Sequence, residues 1–563
     1  MKKAEAFVIG LDFGTSAVRA SIVDAADGIE AASGVYSYPS GVDGCLLDRY
    51  DALVVRHDAK DYIQGIETSV AGAVAAALEN KDAGFSIDKI AGIGVDTTSS
   101  TPIPVTRDGR PVSSLESFKE NLNAHVWLWK DHSSFAEAEE ITRVGKKTHP
   151  EYIDSVGGSY SSEWYWAKIL RCRRIDKAVF DAAYTWVEAG DWLVFQLCGG
   201  ADMLEVKRGI GAAGHKALFD MEWGGYPQKE FMASFEADLI KLYDTFNVSN
   251  VLSSKYAAGM LSNAWVKQLG FSKPVPVAVA GVDAHFGGVG AGVGIGVLVR
   301  AIGTSTCDLI ITGKGTKKPL IPGMAGIVTD SLVPGYYGIE AGQAAVGDIF
   351  NWFVKYIQPQ GKSIKDLSAE AEQLLPGESG LLSLDWHNGN RNILGDQQLT
   401  GLIAGLDLQT SPAEIYRALV EGTAFGARVI LEQMEKCGIK VNEIVACGGI
   451  PKKDPLFMQI YADVFGKPFY LSRNSETCAL GGAIAASVAS GVHPDYETAM
   501  QKMCSRADVS YQPIPQNAAV YNELFLLYRD VHNAFGTEEA KGLFPVMKKL
   551  LSIKRQAKLS KKQ

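Results

Sequence analysis

One turn occurs twice in this chain. Ile9-Gly10-Leu11-Asp12-Phe13-Gly14-Thr15-Ser16 and Leu298-Val299-Arg300-Ala301-Ile302-Gly303-Thr304-Ser305 align at a single offset of 289 residues, and each continues into an apolar stretch, through Val23 and through Ile311. Apolar and β-branched residues around a glycine and two small hydroxyl residues read as strand, tight turn, strand: a β-hairpin used in both halves. An offset of about half the chain points to two similarly built domains, each opening with that hairpin, and not to a short-period solenoid. The length of 563 residues agrees, since one hydrophobic core rarely organises so long a chain and about two to four domains are expected.

Helical and strand signals alternate around the hairpins. Asp61 to Leu78 has helical periodicity, and Lys89 to Val95 reads as a strand entering the polar loop Asp96-Thr97-Thr98-Ser99-Ser100-Thr101. Trp186 to Leu197 reads as an aromatic-rich helix, and Ser411-Pro412-Ala413-Glu414 as a capping box opening a helix to about Lys436. Glu443 to Cys447 reads as a strand ending in Gly448-Gly449, followed by a helix-like Pro455 to Val464. The alternation predicts α/β layers with a mainly parallel sheet. Lys273 to Gly281 precedes the second hairpin and marks the crossover, so the expected divisions are 1–280, 281–535 and a basic tail, 536–563. The last ten residues, with five basic side chains and no acid, are expected to be frayed and solvated.

Composition excludes several classes of function. With 64 acidic and 55 basic side chains the net charge is -9, the wrong sign for a polyanion binder, so no nucleic-acid partner is expected. The eight cysteines are scattered without metal-site or disulfide spacing and read as reduced thiols. Asp12 interrupts the first apolar run before it reaches signal-peptide length, and the longest uncharged apolar run, Phe286 to Val299, is too short and glycine-rich to span a bilayer. A cytoplasmic protein without a membrane partner is the expectation.

Two facing Gly-Thr-Ser turns would offer backbone N–H groups and hydroxyls to a triphosphate from both sides. Asp12 stands where the second turn has Ala301. A carboxylate there either caps its own turn or orients Mg2+, and the duplication favours the second reading. Gly448-Gly449 permits close backbone approach, equally suited to a flat ligand such as adenine and to a plain strand-to-helix turn. No G-x-x-x-x-G-K-[ST] loop is associated with it. Asp283, after the strand Val275 to Gly281 and before a glycine-rich stretch, is the candidate base for a hydroxyl attacking phosphorus; bonding within the glycine-rich turn is the alternative. Lys216 and Glu340 sit among small neighbours that would suit a polyol, although solvated turns explain each more simply. His215 and His285 read as structural histidines, and Trp127, Trp129, Trp164, Trp166, Trp186 and Trp192 as core.

Asp12-Phe13-Gly14-Thr15-Ser16, Gly281-Val282-Asp283-Ala284, Gly303-Thr304-Ser305 and Ala446-Cys447-Gly448-Gly449 resemble, in order, the motifs of the FGGY carbohydrate kinases of the actin-like ATPase superfamily. Gly401-Leu402-Ile403-Ala404-Gly405-Leu406, leading to Glu421-Gly422-Thr423, is similar to the family's C-terminal signature. Val95-Asp96-Thr97-Thr98, Trp129-Lys130-Asp131-His132, Glu188-Ala189-Gly190-Asp191-Trp192 and Ala213-Gly214-His215-Lys216 resemble members acting on L-ribulose more than glycerol or xylulose kinases.

The resemblance implies an α/β fold of two ribonuclease-H-like domains flanking a closing catalytic cleft. It implies transfer of the ATP γ-phosphoryl group, with Mg2+, to the 5-hydroxyl of L-ribulose in arabinose catabolism. Related ketopentoses and pentitols (D-ribulose, ribitol, xylulose) are the near alternatives, and an actin- or chaperone-like ATPase the distant one. Carried over, Asp283 is the base, and Asp96, Lys216, Asp283 and Glu340 bind sugar. Asp12, Gly14, Thr15, Ser16, Arg19, Gly303, Thr304, Ser305, Gly448, Gly449 and Lys453 serve the nucleotide, Asp12 through Mg2+. Sugar and ATP are the implied partners, and a homodimer is compatible with them. Two positions depart from the pattern: Ser99, where related kinases often have Gly, and Asp454, where Asn is usual.

Overall fold

The computed structural model describes residues 5–313, 318–358, 361–538 and 543–560, with side chains in the last helix as far as Ile553. The first hairpin is β1 (Phe7–Phe13) and β2 (Ala17–Asp24), followed by β3 (Glu30–Ser37) and the helix α1 (Ala59–Glu79). Next come β4 (Ile90–Thr97), the helix α2 (Ile210–Ala217), β5 (Ala257–Met260), β6 (Pro276–Ala278), β7 (Gly281–Val282) and the helix α3 (Asp283–Gly290). These seven strands form one sheet, ordered β5-β6-β4-β1-β2-β3, with β7 also paired to β4.

The second hairpin, β8 (Val297–Ile302) and β9 (Thr306–Gly313), precedes β10 (Gly326–Thr329) and β11 (Tyr336–Ala341). The helix α4 (Pro412–Lys436), β12 (Glu443–Cys447), α5 (Pro455–Phe465), β13 (Phe469–Ser472), α6 (Thr477–Ala489) and β14 (Arg506–Tyr511) complete a second seven-stranded sheet. Its order is β10-β11-β9-β8-β12-β13-β14. In both sheets the hairpin is central and its first strand pairs in parallel with a later one, β1 with β4 and β8 with β12. Shared order bears out the expected pair of ribonuclease-H-like halves.

Helix α6 joins the two sheets. Its Thr-Cys-Ala-Leu-Gly-Gly-Ala start carries mostly small side chains, and the strands meeting it answer with glycines. A Cβ on Gly10 of β1 would lie 1.8 Å from Ala479 O, and one on Gly94 of β4 1.9 Å from Gly482 O. One core contains Val8 and Val23 from the first hairpin, Val299 and Leu309 from the second, and Leu480, Ala483 and Ile484 from α6. The halves therefore share buried apolar surface, which opposes their separation.

Two local expectations are corrected. Trp186 does not open a helix: Thr185–Glu188 is a strand antiparallel to Pro102–Val105, and the helix starts only at Ala189. β-branched Thr185 and Val187 suit that ladder, which tertiary pairing supplies. The last ten residues, expected to fray, belong as far as Ser560 to a helix that starts at Phe544, consistent with its Lys, Leu, Ala and Arg content, and 561–563 lie outside the described residues. Met547 is buried and accepts a hydrogen bond from Thr400 N at 3.3 Å, which docks the start of that helix. All eight cysteines are free, as expected, and no helix among the described residues is long and apolar enough to cross a membrane.

Candidate active site

A cleft of about 1180 Å³ opens between the halves. Its wall brings together Lys216, Asp283, Glu340, Gly303, Thr304, Ser305, Gly448 and Gly449 from the sequence expectations. Asp12, Asp96, Gly14, Thr15, Ser16, Arg19 and Lys453 are not on that wall. The first turn nevertheless reaches it through Trp129, which lines the cleft and donates Nε1–H to Thr15 Oγ1 at 3.0 Å.

Asp283 directly follows β7, which ends at Val282, and is the first residue of α3. Its Oδ1 accepts from Ala284 N at 2.6 Å. Burial, then the nearby Asp12 carboxylate, push its pKa up to about 7. Asp12 and Asp96 are register partners on β1 and β4, so their side chains leave the sheet on the same face. Burial raises the pKa of both, and Asp12 and Asp283 push fully buried Asp96 further up. Both carboxylate oxygens of Asp96 are buried without a donor other than a proton shared with Asp12 among the described residues. Carboxylates so placed require either a shared proton or a cation between them, and these acceptor-only oxygens fit a hard divalent ion such as Mg2+. Asp96, expected to read the sugar, thus lies behind the wall beside Asp12.

Lys216 and Glu340 correct the expectation of solvated turns. Lys216 is on α2 and 5% exposed, Glu340 is on β11, and Lys216 Nζ donates to both carboxylate oxygens, at 2.8 and 3.1 Å. His285 Nε2 lies 2.9 Å from Glu340 Oε2, and His215 Nδ1 3.6 Å from it. The Lys216 ammonium and the hydrogen bond from His285 hold the Glu340 carboxyl well below the usual carboxylate range despite its burial. Both histidines face a charged group of the cleft, a role sequence reading did not assign them; the adjacency of His215 to Lys216 and of His285 to Asp283 was the available signal.

The loop after β4 puts Thr98 and Ser99 on the wall. Glu188 accepts from Ser99 Oγ at 3.4 Å, Thr101 N at 2.7 Å and Ser100 Oγ, while fully buried Lys168 donates to Ser100 O and Leu128 O at 2.7 Å each. Burial lowers the Lys168 pKa to about 8. Ser99, the departure from the pattern, is therefore held where it borders the ligand space.

On the second half, Val346 N and Asp348 N donate to Thr304 O at 2.7 and 3.2 Å, and Gly347 N to Gly303 O at 3.1 Å, which fixes the second turn. Gly448 has φ +98 and lies against Ile302, where a Cβ would be 2.4 Å from Ile302 O; a Cβ on Gly449 would meet nothing within 4 Å. Gly448 is thus required by the backbone, whereas Gly449 faces open space. Arg19 pairs with Glu476 at 2.9 Å, and Lys453 is exposed. Asp454 caps α5 through Phe457 N at 3.0 Å and also accepts from Ser368 and Tyr416, a structural use of that departure. Of the six tryptophans expected in the core, Trp129 and Trp164 line the cleft.

Residues 7–290 match the N-terminal domain, and residues 298–490 the C-terminal domain, of the FGGY family of carbohydrate kinases. The chain is 37% identical over 571 residues to a protein named ribulokinase from Halalkalibacterium halodurans, covering 97% of each chain. It is 36% identical over 547 residues to a ribulokinase from Vibrio parahaemolyticus, covering 93% of this chain and 95% of the relative. Its fold is similar to that of a ligand-bound xylulose kinase from Lactobacillus acidophilus, with a TM-score of 0.77 at 19% identity over 95% of this chain and 99% of the other.

Proposed function

The chain belongs to the FGGY family of carbohydrate kinases, and from that premise we propose that it transfers the γ-phosphoryl group of ATP to the 5-hydroxyl of L-ribulose, giving L-ribulose 5-phosphate for arabinose catabolism. The observation that carries the reading is the single cleft wall, on which Asp283, the Lys216–Glu340 pair and the Gly303-Thr304-Ser305 and Gly448-Gly449 segments meet. Similarity to proteins named ribulokinase over nearly the whole chain supports the sugar. Consumption of ATP and a free sugar supports a cytoplasmic enzyme.

The sugar hydroxyl would hydrogen-bond to Asp283, with Lys216 donating to the sugar's oxygens and Glu340 accepting from its hydroxyls. As the hydroxyl oxygen forms its bond to the γ-phosphorus, the bond from that phosphorus to the β–γ bridging oxygen breaks, ADP departs, and the hydroxyl proton passes to Asp283. A base with a pKa near 7 matches this transfer at neutral pH. Backbone and hydroxyl groups of the two Gly-Thr-Ser turns would hold the phosphates from either side, and Gly448-Gly449 would lie against adenosine. Asp12 and Asp96 would hold Mg2+, which when bound neutralises phosphate charge. Approach of the halves would exclude water and so suppress ATP hydrolysis.

A coupled ADP-release assay across ketopentoses and pentitols tests the proposal. L-ribulose is expected to have the highest kcat/KM. A higher value for D-ribulose, xylulose or ribitol would reassign the substrate. Nucleotide-dependent pelleting without sugar-dependent ADP release would instead support a polymerising ATPase.

A further inference from the structure

Glu340 is held by groups from the other half of the chain. It projects from β11 of the second sheet, while Lys216 and His215 come from α2 and His285 from α3. Two of the three partners have an assignable proton arrangement. Ser331 Oγ donates its single proton to Val328 O at 3.1 Å, so it accepts from His215 Nε2–H, also at 3.1 Å. This leaves His215 Nδ1 as a buried lone pair, without a hydrogen-bond partner and 3.6 Å from Glu340 Oε2. His215 thus cannot hold the carboxylate as a neutral imidazole. His285 can: its Nε2–H donates to Glu340 Oε2 at 2.9 Å, and its ring is 1% exposed. His215, His285 and Glu340 together resemble a metal cage, but the Lys216 ammonium, 2.8 Å from Glu340 Oε1, already supplies the cation.

We propose that His285 is a positioning residue for sugar capture: by holding Oε2 of Glu340 it leaves Oε1 and the Lys216 ammonium set toward the cleft, and does so only when the two halves have met. Asp283 stands two residues earlier, in the same first turn of α3. One hydrogen bond therefore ties the sugar-facing carboxylate of one half to the helix start that carries the candidate base of the other. Without it, Glu340 Oε2 would keep only its longer 3.1 Å bond from Lys216, and the carboxylate would be free to settle further onto that ammonium and withdraw both groups from a ligand.

The inference rests on the proposed sugar-kinase reading, and the test separates the two: the wild-type panel tests that reading, while a contrast among His285 variants, measured on whichever sugar the wild type phosphorylates, tests this one. A Gln amide reaches about where Nε2 stands and can donate to Glu340; Asn is too short, and Leu cannot donate. His285→Leu and His285→Asn are expected to raise the sugar KM about tenfold or more, equivalent to about 1.4 kcal/mol, with the ATP KM changed less than about twofold. His285→Gln is expected to return the sugar KM to within about threefold of wild type. A purely structural histidine would make all three variants lose melting temperature without that KM pattern. An unchanged sugar KM in the Leu variant, or a Gln variant as impaired as Asn, would overturn the proposal. Should the Leu variant fail to fold, the Gln–Asn contrast decides it alone.

Discussion

Asp12 and Asp96 stand opposite each other on adjacent parallel strands, and their carboxyl groups share a buried space that also borders Asp283. Three acids placed so closely repel one another unless a proton or a cation intervenes. Asp12→Asn and Asp96→Asn are each expected to raise the Mg2+ concentration for half-maximal turnover about tenfold or more, in line with the loss of a charged ligand. A Mg2+ titration of initial rates at fixed ATP checks this; an unchanged half-point in both variants would remove the pair from ion binding.

Asp283→Ala is expected to lower kcat by about 10²–10⁴-fold, the range for loss of a general base, while ATP affinity by calorimetry changes less than about twofold. Near-normal turnover would exclude Asp283 as the base.

The pKa of about 7 at Asp283 also carries a stability signature. A carboxyl whose folded pKa exceeds its unfolded value stabilises fully below the unfolded pKa, and that contribution is lost as pH rises through the folded pKa. The unfolded value is about 3.9, so the window runs from about pH 4 to above pH 7. Metal-free Asp283→Asn is therefore expected to melt about 2–4 °C above wild type at pH 8, with a clearly smaller advantage at pH 5. Melting curves in EDTA at the two pH values check it; an equal difference at both would contradict the assignment.

Gly94 and Gly449 make a paired test of what glycine does in this fold. Gly94→Ala would force a Cβ to 1.9 Å from Gly482 O and is expected to destabilise by about 1–3 kcal/mol and impair turnover, because the strand and α6 must part. Gly449→Ala meets nothing within 4 Å and is expected to preserve the melting temperature while raising the ATP KM. Denaturation and nucleotide kinetics on both variants separate the roles, and an unaltered ATP KM in Gly449→Ala would move the adenosine elsewhere.

Lys216→Met retains much of the apolar stem but removes the ammonium that lies 2.8 Å from Glu340. Sugar KM is expected to rise about tenfold or more with the ATP KM nearly constant, the pattern of a lost charged contact to one substrate. A parallel rise in both constants would indicate general disruption of the cleft.

The two hairpins, the capping box at Ser411 and the strand Glu443–Cys447 were legible in the sequence because their causes are local. Ser411 Oγ accepts from Glu414 N at 3.3 Å while Glu414 returns to Ser411 N at 2.7 Å, an exchange spanning three residues and written in their side chains. Duplication of the Gly-Thr-Ser turn likewise announced two halves before any contact was known. Trp186 was misread because pairing with Pro104, 82 positions earlier, decides its strand. The Lys216–Glu340 bridge spans 124 positions, and the burial of Asp96 against Asp12 arises where two strands and α6 converge. Residue types and short spacings thus determined the elements and the candidate base. Tertiary structure alone decided which charges are buried together, because desolvation and Coulomb energy depend on distances in space that sequence separation does not encode.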